Sequence, residues 1–478
     1  MNTLEWQKTK DKLEKTSPCF CLAKWNQVTL HLNNGTTHSC HNCWVHPIPL
    51  TELNKNPSAL HNTEHKKKMR KLMLEGKRPE ECDYCWRVED LKEDDLYSDR
   101  IKKSTFPWND PEDVENIPKL PWDTNVSPRS MEVDFSSACN FKCIYCGPRF
   151  STTWMKEIKE FGPYRAGDIT FNPIAYNPKY SGYEDLPLEE ENNPYIEAFW
   201  KWLPEMIKDL RVLRVTGGEP LLSKNTFKIM DYLVNNPQPK LEFHINSNLG
   251  APEQHIETLI TKINEIQKTL VHGKPVRIYT SGEGHGNKGE YIRNGLNYSY
   301  WLKNIDKILT KSIKVRITIM VTYNALCVSS FTELLKDVLA IKQKFANSTN
   351  NAPIEVNVPY LRAPEFLAAW ILPESYIKFM EESVEFMKAN QEVIEIEDDK
   401  KVLKTPGFTI MEIHDMERAL EVIRKAITSG AGRTLSLDVL RRSFHFFVDE
   451  LDTRRGTSFL STFPEMAEFY HFCKSEYP

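Results

Sequence analysis

The sequence predicts an α/β protein whose core is built from alternating strands and helices. Six apolar, strand-like runs follow one another after residue 130, and helical periodicity fills the gaps between them. Nine of the eleven cysteines lie before residue 147, and six of these precede residue 106, which sets the N-terminal part apart from that core. With 478 residues, of which 40% are hydrophobic, the chain can bury the sizeable core that such a fold requires.

The predicted core strands are MEVDF at 131, LRVLRVTG at 210, LEFHINSN at 241, VRIYTSG at 276, VRITIMVTY at 315 and IEVNVPYL at 354. The predicted helices between them cover Thr226–Leu233, Gln254–Leu270, Tyr300–Thr310 and Phe331–Phe345. Repeated strand–helix units indicate parallel strands with right-handed crossovers, hence a wound sheet or a barrel. Function is then expected at the carboxyl ends of the strands.

The chain is predicted to contain four segments: a cysteine-rich α+β domain over 1–105, a linker over 106–130, the core over 131–365 and a helical extension over 366–478. Five prolines between Phe106 and Pro128, interspersed with acidic residues, predict an extended connector. After Leu361 only helical patterns are recognised, including Met411–Thr428 closed by Gly430.

Two further stretches each allow two interpretations. Residues 161–195, rich in Pro, Asn and Tyr, form either a lid or substrate wall or a surface elaboration. The segment Arg454–Met466, RRGTSFLSTFPEM, either approaches the active site or forms a capping tail packed on the core.

Charge and hydropathy exclude some classes of protein. The N-terminus lacks the apolar core of a secretory signal, and the longest apolar run, Phe366–Leu372, is too short to span a bilayer. We therefore expect a cytoplasmic protein without membrane contact. The net charge of −4 gives no general case for nucleic acid, and the basic run His65–Lys71 predicts a solvated helix face. Cysteines in a reducing compartment indicate metal or redox chemistry before disulfides.

Three cysteines, Cys139, Cys143 and Cys146, follow the first core strand with the spacing C-x3-C-x2-C. Three thiolates on a short loop suit iron in a cubane cluster, and they leave one of its irons without a protein ligand. An open coordination position distinguishes a reactive metal site from a structural one.

This pattern resembles the radical S-adenosylmethionine (SAM) enzymes, whose C-x3-C-x2-C signature follows the first strand of a partial (β/α)6 barrel. Tyr145 occupies the position that is commonly aromatic and lies near the adenine in that family. Gly217-Gly218-Glu219-Pro220 resembles the family's GGEP motif, which meets the SAM amino group. The resemblance covers most of residues 15–365.

Other positions match the family less sharply. Ser247 and Asn248 resemble the residues that contact the SAM ribose, and Ser281 and Arg293 resemble the Ser and Arg that hold the ribose and the SAM carboxylate. A guanidinium suits a carboxylate, although a surface ion pair is the alternative for Arg293.

The resemblance implies a mechanism. A reduced [4Fe–4S] cluster passes one electron to SAM bound at its open iron, which releases methionine and a 5′-deoxyadenosyl radical that removes a hydrogen atom from the substrate. No side-chain acid or base is needed in that first step, so no catalytic residue is assigned. The protein positions the substrate and excludes quenchers.

The N-terminal cysteines form the pattern CxxC…CxxC, from Cys40 and Cys43 to Cys82 and Cys85, for which tetrahedral zinc is the default. The surrounding sequence, from CLAKWNQVTLHLNNGTTHSC to MRKLMLEGKRPEECDYCWRVE, instead resembles the twitch module, a shortened relative of the SPASM domain that carries an auxiliary Fe–S cluster. The match assigns a second [4Fe–4S] cluster to Cys21, Cys40, Cys82 and Cys85, with Cys19 and Cys43 as substitutes. The module generally follows the barrel, whereas here it precedes it.

The resemblance thus implies a radical SAM enzyme that modifies an organic substrate, a peptide first and a small molecule second, with flavodoxin or ferredoxin as the reductant. The auxiliary cluster would accept an electron, bind the substrate or stabilise the fold. The alternative is a non-enzymatic zinc-binding scaffold in which both cysteine groups are structural. A narrower alternative keeps the SAM cluster and makes only the N-terminal site zinc.

Overall fold

The computed structural model describes residues 3–91, 96–166, 169–171, 191–269, 273–347, 353–397 and 400–476. Within them the strands are β1 Gln27–His31, β2 Thr36–His38, β3 His46–Pro47, β4 Ser130–Asp134, β5 Lys142–Cys143, β6 Tyr164–Ala166, β7 Ile169–Phe171, β8 Val212–Thr216, β9 Glu242–Asn246, β10 Val276–Ser281, β11 Arg293–Asn294, β12 Val315–Met320, β13 Ile354–Asn357, β14 Val393–Glu397 and β15 Lys400–Thr405. All six predicted core strands are therefore present, as β4, β8, β9, β10, β12 and β13.

The α-helices of the same residues are α1 Thr3–Glu14, α2 Ala23–Asn26, α3 Leu50–Leu53, α4 Glu64–Leu74, α5 Asp83–Asp90, α6 Asp99–Ser104, α7 Asp113–Asn116, α8 Thr152–Phe161, α9 Pro194–Met206, α10 Lys224–Asn235, α11 Glu253–Thr269, α12 Gly286–Ile292, α13 Tyr298–Lys311, α14 Phe331–Phe345, α15 Ile377–Ala389, α16 Ile410–Ser429, α17 Leu437–Arg455, α18 Phe459–Thr462 and α19 Ala467–Glu476. The four helices predicted in the core correspond to α10, α11, α13 and α14, and the predicted last residue of α11, Leu270, lies outside the described residues. The protein is thus a mixed α/β protein with parallel strands.

The first of two compact units is built within Met1–Ser137, Pro178–Ile245 and Ile266–Lys274. Its strands lie in the order β9-β8-β4-β1-β2-β3, in which β9, β8, β4 and β1 are parallel and β2 and β3 add antiparallel neighbours. β1 pairs with β4 over five positions. The N-terminal segment therefore supplies a strand to the sheet that contains the first core strand.

The second unit is built within Ala138–Asn177, Asn246–Glu265 and Pro275–Pro478. Its parallel strands lie in the order β13-β12-β10, and its short antiparallel pairs are β5 with β11, β6 with β7 and β14 with β15. Burial alternates along β10, where Val276, Ile278 and Thr280 are buried and the residues between them are half-buried. One face of this strand therefore packs in the core while the other carries polar side chains.

Helix ends follow the local sequence signals. Thr409 and Glu412 form a reciprocal capping box at the start of α16, and Gly430 ends the helix with a left-handed φ of 76°. This confirms the helix predicted over Met411–Thr428. At the other end of the chain, Thr63 caps α4, and Gly76, with φ of 72°, follows its last turn as the twitch-like pattern predicted.

Two predictions of local structure are wrong. The connector 106–130 is not extended throughout, because α7 and a 3₁₀ helix over Ile117–Lys119 lie within it. In addition, Ile117 and Val126 pack with buried apolar residues of the N-terminal segment. The extension 366–478 is not purely helical, because β14 and β15 form a hairpin. Residues 394–397, Ile-Glu-Ile-Glu, alternate apolar and polar side chains, which is the period of a strand.

The predicted domain boundary at 106–130 stays a prediction, and the strands on its two sides, β1 and β4, belong to one compact unit. Most of the segment 161–195, proposed as a lid or a surface elaboration, lies outside the described residues. Among the described helices, none is both long enough and apolar enough to cross a lipid bilayer.

Candidate metal centres

The cysteine loop, which we define as Cys139–Cys146, is held on one side by backbone hydrogen bonds. β5 pairs with β11 so that Cys143 lies opposite Arg293 and Lys142 opposite Asn294. The Ile144 amide donates to the Ile292 carbonyl at 2.9 Å, and the Cys146 amide donates to the Cys143 carbonyl at 2.9 Å. The backbone of Cys143 is therefore held by strand pairing and does not depend on what its sulfur binds.

Asn248 and Gly250 approach the other side of the loop. The side-chain amide of Asn140 donates to the Gly250 carbonyl at 2.8 Å, and the amide of Asn248 donates to the Asn140 side-chain oxygen at 2.9 Å. The same Asn248 nitrogen lies 4.0 Å from the Cys139 sulfur. Gly250 has no room for a side chain, since a Cβ there would lie 2.4 Å from the Phe141 ring. Asn248 was predicted at the site, whereas Asn140 was not.

The end of α17 supports the loop through buried charges. The guanidinium of Arg455 donates to the Lys142 carbonyl at 2.8 Å and forms an ion pair of 3.1 Å with Glu157, which also pairs with the Lys142 ammonium at 2.5 Å. The side chains of Arg455 and Glu157 are 1% and 2% exposed. Trp154 donates from its indole to the Cys143 carbonyl at 2.9 Å. The segment that begins at Arg454 therefore contacts the cysteine loop.

Arg293 is buried in a charged group beside the loop and does not form a surface ion pair. Its Nε lies 2.6 Å from one Glu283 oxygen and its Nη2 lies 2.9 Å from the other, while Nη1 donates to the Cys143 sulfur at 3.3 Å. Tyr145 donates to Glu283 at 2.6 Å and accepts a hydrogen bond from Arg293. Arg293, Tyr145 and Cys143, each predicted at the site, are thus brought together by Glu283, which was not predicted.

Ser247 and Ser281 both belong to the second unit, and each lies at the end of a strand. Ser247 is buried, its amide donates to the Tyr279 carbonyl at 2.8 Å, and its hydroxyl accepts from the Leu249 amide at 3.0 Å. Ser281 is half-buried at the last position of β10, opposite Met320 of β12. Both serines therefore lie where parallel strands end, as the sequence predicted.

The GGEP segment belongs to the first unit. Gly217 has φ of 132°, and a Cβ there would lie 2.7 Å from the Ser136 carbonyl, so the position requires glycine. The Gly218 amide donates to the same carbonyl at 3.0 Å. Glu219 is 1% exposed and accepts from the Leu221 amide at 3.0 Å. This carboxylate caps the turn that follows it.

A buried polar group at the ends of β1 and β4 was also missed. His31 Nδ1 lies 2.9 Å from an Asp134 oxygen, and its Nε2 lies 3.2 Å from Nε2 of His38. The other nitrogen of His38 is 2.7 Å from the Cys40 carbonyl. Hydrogen bonds thus connect the carboxyl ends of the sheet to one of the N-terminal cysteines.

Five of the six N-terminal cysteines line one small cavity, which we call the N-terminal cysteine cavity. Its cysteines are Cys21, Cys40, Cys43, Cys82 and Cys85. Three cations, Lys24, Arg100 and Lys103, line it as well. The Cys19 sulfur instead donates to the Gly76 carbonyl at 3.4 Å. The structure therefore brings together the four predicted ligands and one of the two substitutes, Cys43.

Lys24 is the central charge of this cavity. Its ammonium lies 3.1 Å from the Cys43 sulfur and forms an ion pair with Glu81, whose other oxygen is 2.5 Å from His65. Burial alone would lower the pKa of Lys24, but the charges of Cys43, Cys82 and Glu81 outweigh it and hold that pKa well above its usual range. A fixed positive charge therefore faces the thiols.

Sulfur spacing distinguishes a single ion from a cluster. Tetrahedral zinc, with Zn–S bonds of about 2.3 Å, needs sulfurs about 3.8 Å apart. Among the described residues, the groups with three potential ligand atoms within 4.8 Å of one another are Cys43–Glu81–Cys82 and His46–His65–Glu81. Neither the loop triplet nor the predicted N-terminal set forms such a group. A cubane presents a separate iron to each cysteine, so it does not require the sulfurs to lie as close together as a single ion does.

Burial also disfavours the deprotonated, thiolate form of these cysteines. It raises the pKa of Cys146 to about 12, that of Cys85 to about 12 and that of Cys21 to about 11. Thiolates at such positions need compensating positive charge, which iron supplies on ligation. An iron–sulfur cluster would supply that charge at both sets of residues.

Comparison with known proteins adds little to this description. No family model and no curated protein matches the chain. The chain is similar to the crystal structure of Streptococcus suis SuiB bound to precursor peptide SuiA, with 14% sequence identity and a TM-score of 0.28 over 66% of this chain. The match spans 60% of the SuiB chain.

Proposed function

We propose that the protein is a radical SAM enzyme with a partial (β/α)6 barrel that reductively cleaves SAM at a [4Fe–4S] cluster. The observation that supports this most is the cysteine loop itself. Its three thiols are buried or half-buried, are held by backbone pairing, and are too widely spaced to form a three-ligand single-ion site. Such a loop suits a cluster with one iron open to a small molecule.

In this proposal Cys139, Cys143 and Cys146 hold the cluster, which when bound would supply one electron for cleavage of SAM to methionine and a 5′-deoxyadenosyl radical. The proposed SAM contacts are Tyr145, Gly217, Gly218, Glu219, Ser247, Asn248, Ser281 and Arg293. The chain's own contribution is to hold these groups without water. Burial of Glu219, Ser247 and Arg293, each less than 9% exposed, supports that role.

A second [4Fe–4S] cluster is proposed for Cys21, Cys40, Cys82 and Cys85 in a twitch-like domain. A cubane held by four thiolates is an anion, and the cavity offers it the N–H groups of Lys24, Arg100 and Lys103, each of which also pairs with a carboxylate, Glu81, Glu89 and Asp99 respectively. Cys43 remains the substitute, because its sulfur lines the same cavity. The close grouping of Cys43, Glu81 and Cys82 favours a second candidate for this cavity alone, a zinc ion.

The proposed substrate is organic, with a peptide as the first class to test and a small molecule as the second. Flavodoxin or ferredoxin is the proposed electron donor. The test is to co-express the protein with short peptides encoded beside it. A loss of two hydrogens or a crosslink in the peptide mass supports a peptide substrate, and an unchanged mass counts against it.

Metal analysis tests the cofactor assignment. We expect about eight irons per chain after anaerobic purification and about four in the variant with Cys139, Cys143 and Cys146 all replaced by Ala. About four irons falling to none, with one zinc retained, would keep the radical enzyme and make the N-terminal site structural. Zinc without iron would support the non-enzymatic scaffold instead.

A further inference from the structure

The buried charges of Arg293 and Glu283 are arranged so that one N–H group of Arg293 is left for the cysteine loop. Both Glu283 oxygens face the guanidinium, at 2.6 Å from Nε and 2.9 Å from Nη2. The remaining Nη1 lies 3.3 Å from the Cys143 sulfur. Arg293 is 6% exposed and Glu283 is 1% exposed, so water screens neither charge well.

Backbone contacts fix this arrangement from both sides. Arg293 lies directly opposite Cys143 in the β5–β11 pair, so the sulfur and the guanidinium start from neighbouring backbone positions. Glu283 is held independently, because one of its oxygens also accepts from Tyr145 at 2.6 Å and from the Thr322 amide at 3.3 Å. The hydrogen bond to sulfur is therefore preorganised.

A hydrogen bond and a positive charge at a ligating sulfur act on the electron affinity of a cluster. Reduction adds one negative charge, which a nearby cation stabilises, and hydrogen bonds to cysteine sulfur also disperse charge. The positive charge and the hydrogen bond therefore both raise the reduction potential. A carboxylate beside the cation offsets its charge, so Glu283 limits how far the potential is raised.

We propose that Arg293 donates a charge-assisted hydrogen bond to the Cys143 thiolate and thereby raises the reduction potential of the cluster in the cysteine loop, while Glu283 positions the guanidinium and offsets its charge. This inference rests on the proposed function, because it needs a cluster on Cys143. It gives Arg293 a second role besides the proposed contact with SAM, through Nη1, which Glu283 does not contact.

The test is a reductive titration of the full-length, iron-loaded protein followed by electron paramagnetic resonance. The relevant signal is the one that disappears in Cys143→Ala. Arg293→Met is expected to shift its midpoint potential to a more negative value, and Glu283→Gln is expected to shift it to a more positive value. Shifts of the midpoint potential in opposite directions support the proposal, because a general loosening of the loop would shift the potential in the same direction in both variants.

Arg277→Met is the matched control. Arg277 also forms a partly buried ion pair, with Glu355, and donates to Thr318 at 3.1 Å within the same unit. This variant is expected to leave the midpoint potential unchanged. If Arg293→Met does not retain iron, Arg293→Gln, which removes the charge but keeps an N–H donor, is expected to shift the potential to a more negative value, and Glu283→Gln is still expected to shift it to a more positive value.

The outcomes separate the two proposals. A cluster signal whose potential does not move, or moves in the same direction in both variants, overturns the inference and leaves the enzyme proposal standing. Weaker equilibrium binding of SAM to Arg293→Met with an unchanged potential would make Arg293 a SAM contact. Iron-free wild-type protein would overturn the proposed function and the inference together.

Discussion

Arg455 donates a hydrogen bond of 2.8 Å to the backbone carbonyl of Lys142, although the two residues are 313 positions apart. Lys142 lies between Cys139 and Cys143, and Arg455 is the last residue of α17. The same guanidinium pairs with Glu157, and its centre lies 4.7 Å from the centre of the Trp154 ring. The end of α17 is therefore part of the structure that holds the candidate cluster loop.

Replacing Arg455 tests this support. Arg455→Met leaves the buried Glu157 carboxylate with the Lys142 ammonium and the Tyr164 hydroxyl as its partners, so the cost should be below the roughly 3–5 kcal/mol of leaving a buried charge unpaired. We expect a lower free energy of unfolding in urea and reduced iron in the purified protein. The matched control is Arg418→Met, which removes an exposed ion pair with Asp415 and should change stability by less than about 1 kcal/mol. Equal stability and iron content in both variants would contradict the prediction.

The same ion pair predicts a pH dependence of stability. Burial alone would raise the pKa of Glu157, but hydrogen bonds and charges from Arg455 and Lys142 outweigh it and hold that pKa below its ordinary value of 4.5. A depressed pKa in the folded state gives stability that is present above pH 4.5 and is lost as pH falls through the folded value. Unfolding free energies measured from neutral to acidic pH should fall more steeply in wild type than in Glu157→Gln. Parallel curves would show that the ion pair contributes nothing.

Gly295 tests the close packing of the cysteine loop. Its φ is 108°, and a Cβ there would lie 2.7 Å from the Asn140 carbonyl, so Gly295→Ala combines backbone strain with a clash. Gly432→Ala is the control, because φ there is 81° and no atom lies within 4 Å of the added carbon. Strain alone costs about 1–2 kcal/mol. The thermal unfolding temperature and the iron content should both fall further in Gly295→Ala than in Gly432→Ala. Equal effects in the two variants would show that the clash with Asn140 contributes nothing.

Single alanine variants test the N-terminal ligands. Alanine at Cys21, Cys40, Cys82 or Cys85 should lower iron from about eight to about four per chain, because each removes a ligand of one cubane. Cys19→Ala is the matched control, since that sulfur contacts the Gly76 carbonyl and does not line the cavity. Cys43→Ala should retain about eight irons if the predicted set is right. If Cys43→Ala loses iron and Cys82→Ala keeps it, Cys43 is the ligand and Cys82 is not.

Local sequence patterns predicted much of the fold. The alternation in Val276–Ser281 and the caps of α16 are properties of neighbouring residues, and α14 has the predicted bounds, Phe331–Phe345. The hairpin of β14 and β15 was not predicted, because its first strand is exposed along its whole length and the hairpin lies between the helices α15 and α16. Local sequence thus predicted most core elements and missed a surface hairpin.

The candidate site was only partly predictable. Spacing singled out Cys143, but spacing cannot show that Arg455 reaches the loop from the end of α17, since that contact depends on the tertiary fold. Glu283 offered a weak signal, an acid two residues beyond the end of β10, where site residues were expected. Lys24 offered none, because a lysine in a short helix is usually exposed.

The most direct test of the account is formation of 5′-deoxyadenosine from SAM by the iron-loaded protein after chemical reduction without oxygen. We predict that the wild-type protein forms 5′-deoxyadenosine and methionine in equal amounts, and that Cys143→Ala forms neither. Wild-type protein that carries its iron and is reduced, yet releases no 5′-deoxyadenosine, would contradict the assignment as a radical SAM enzyme.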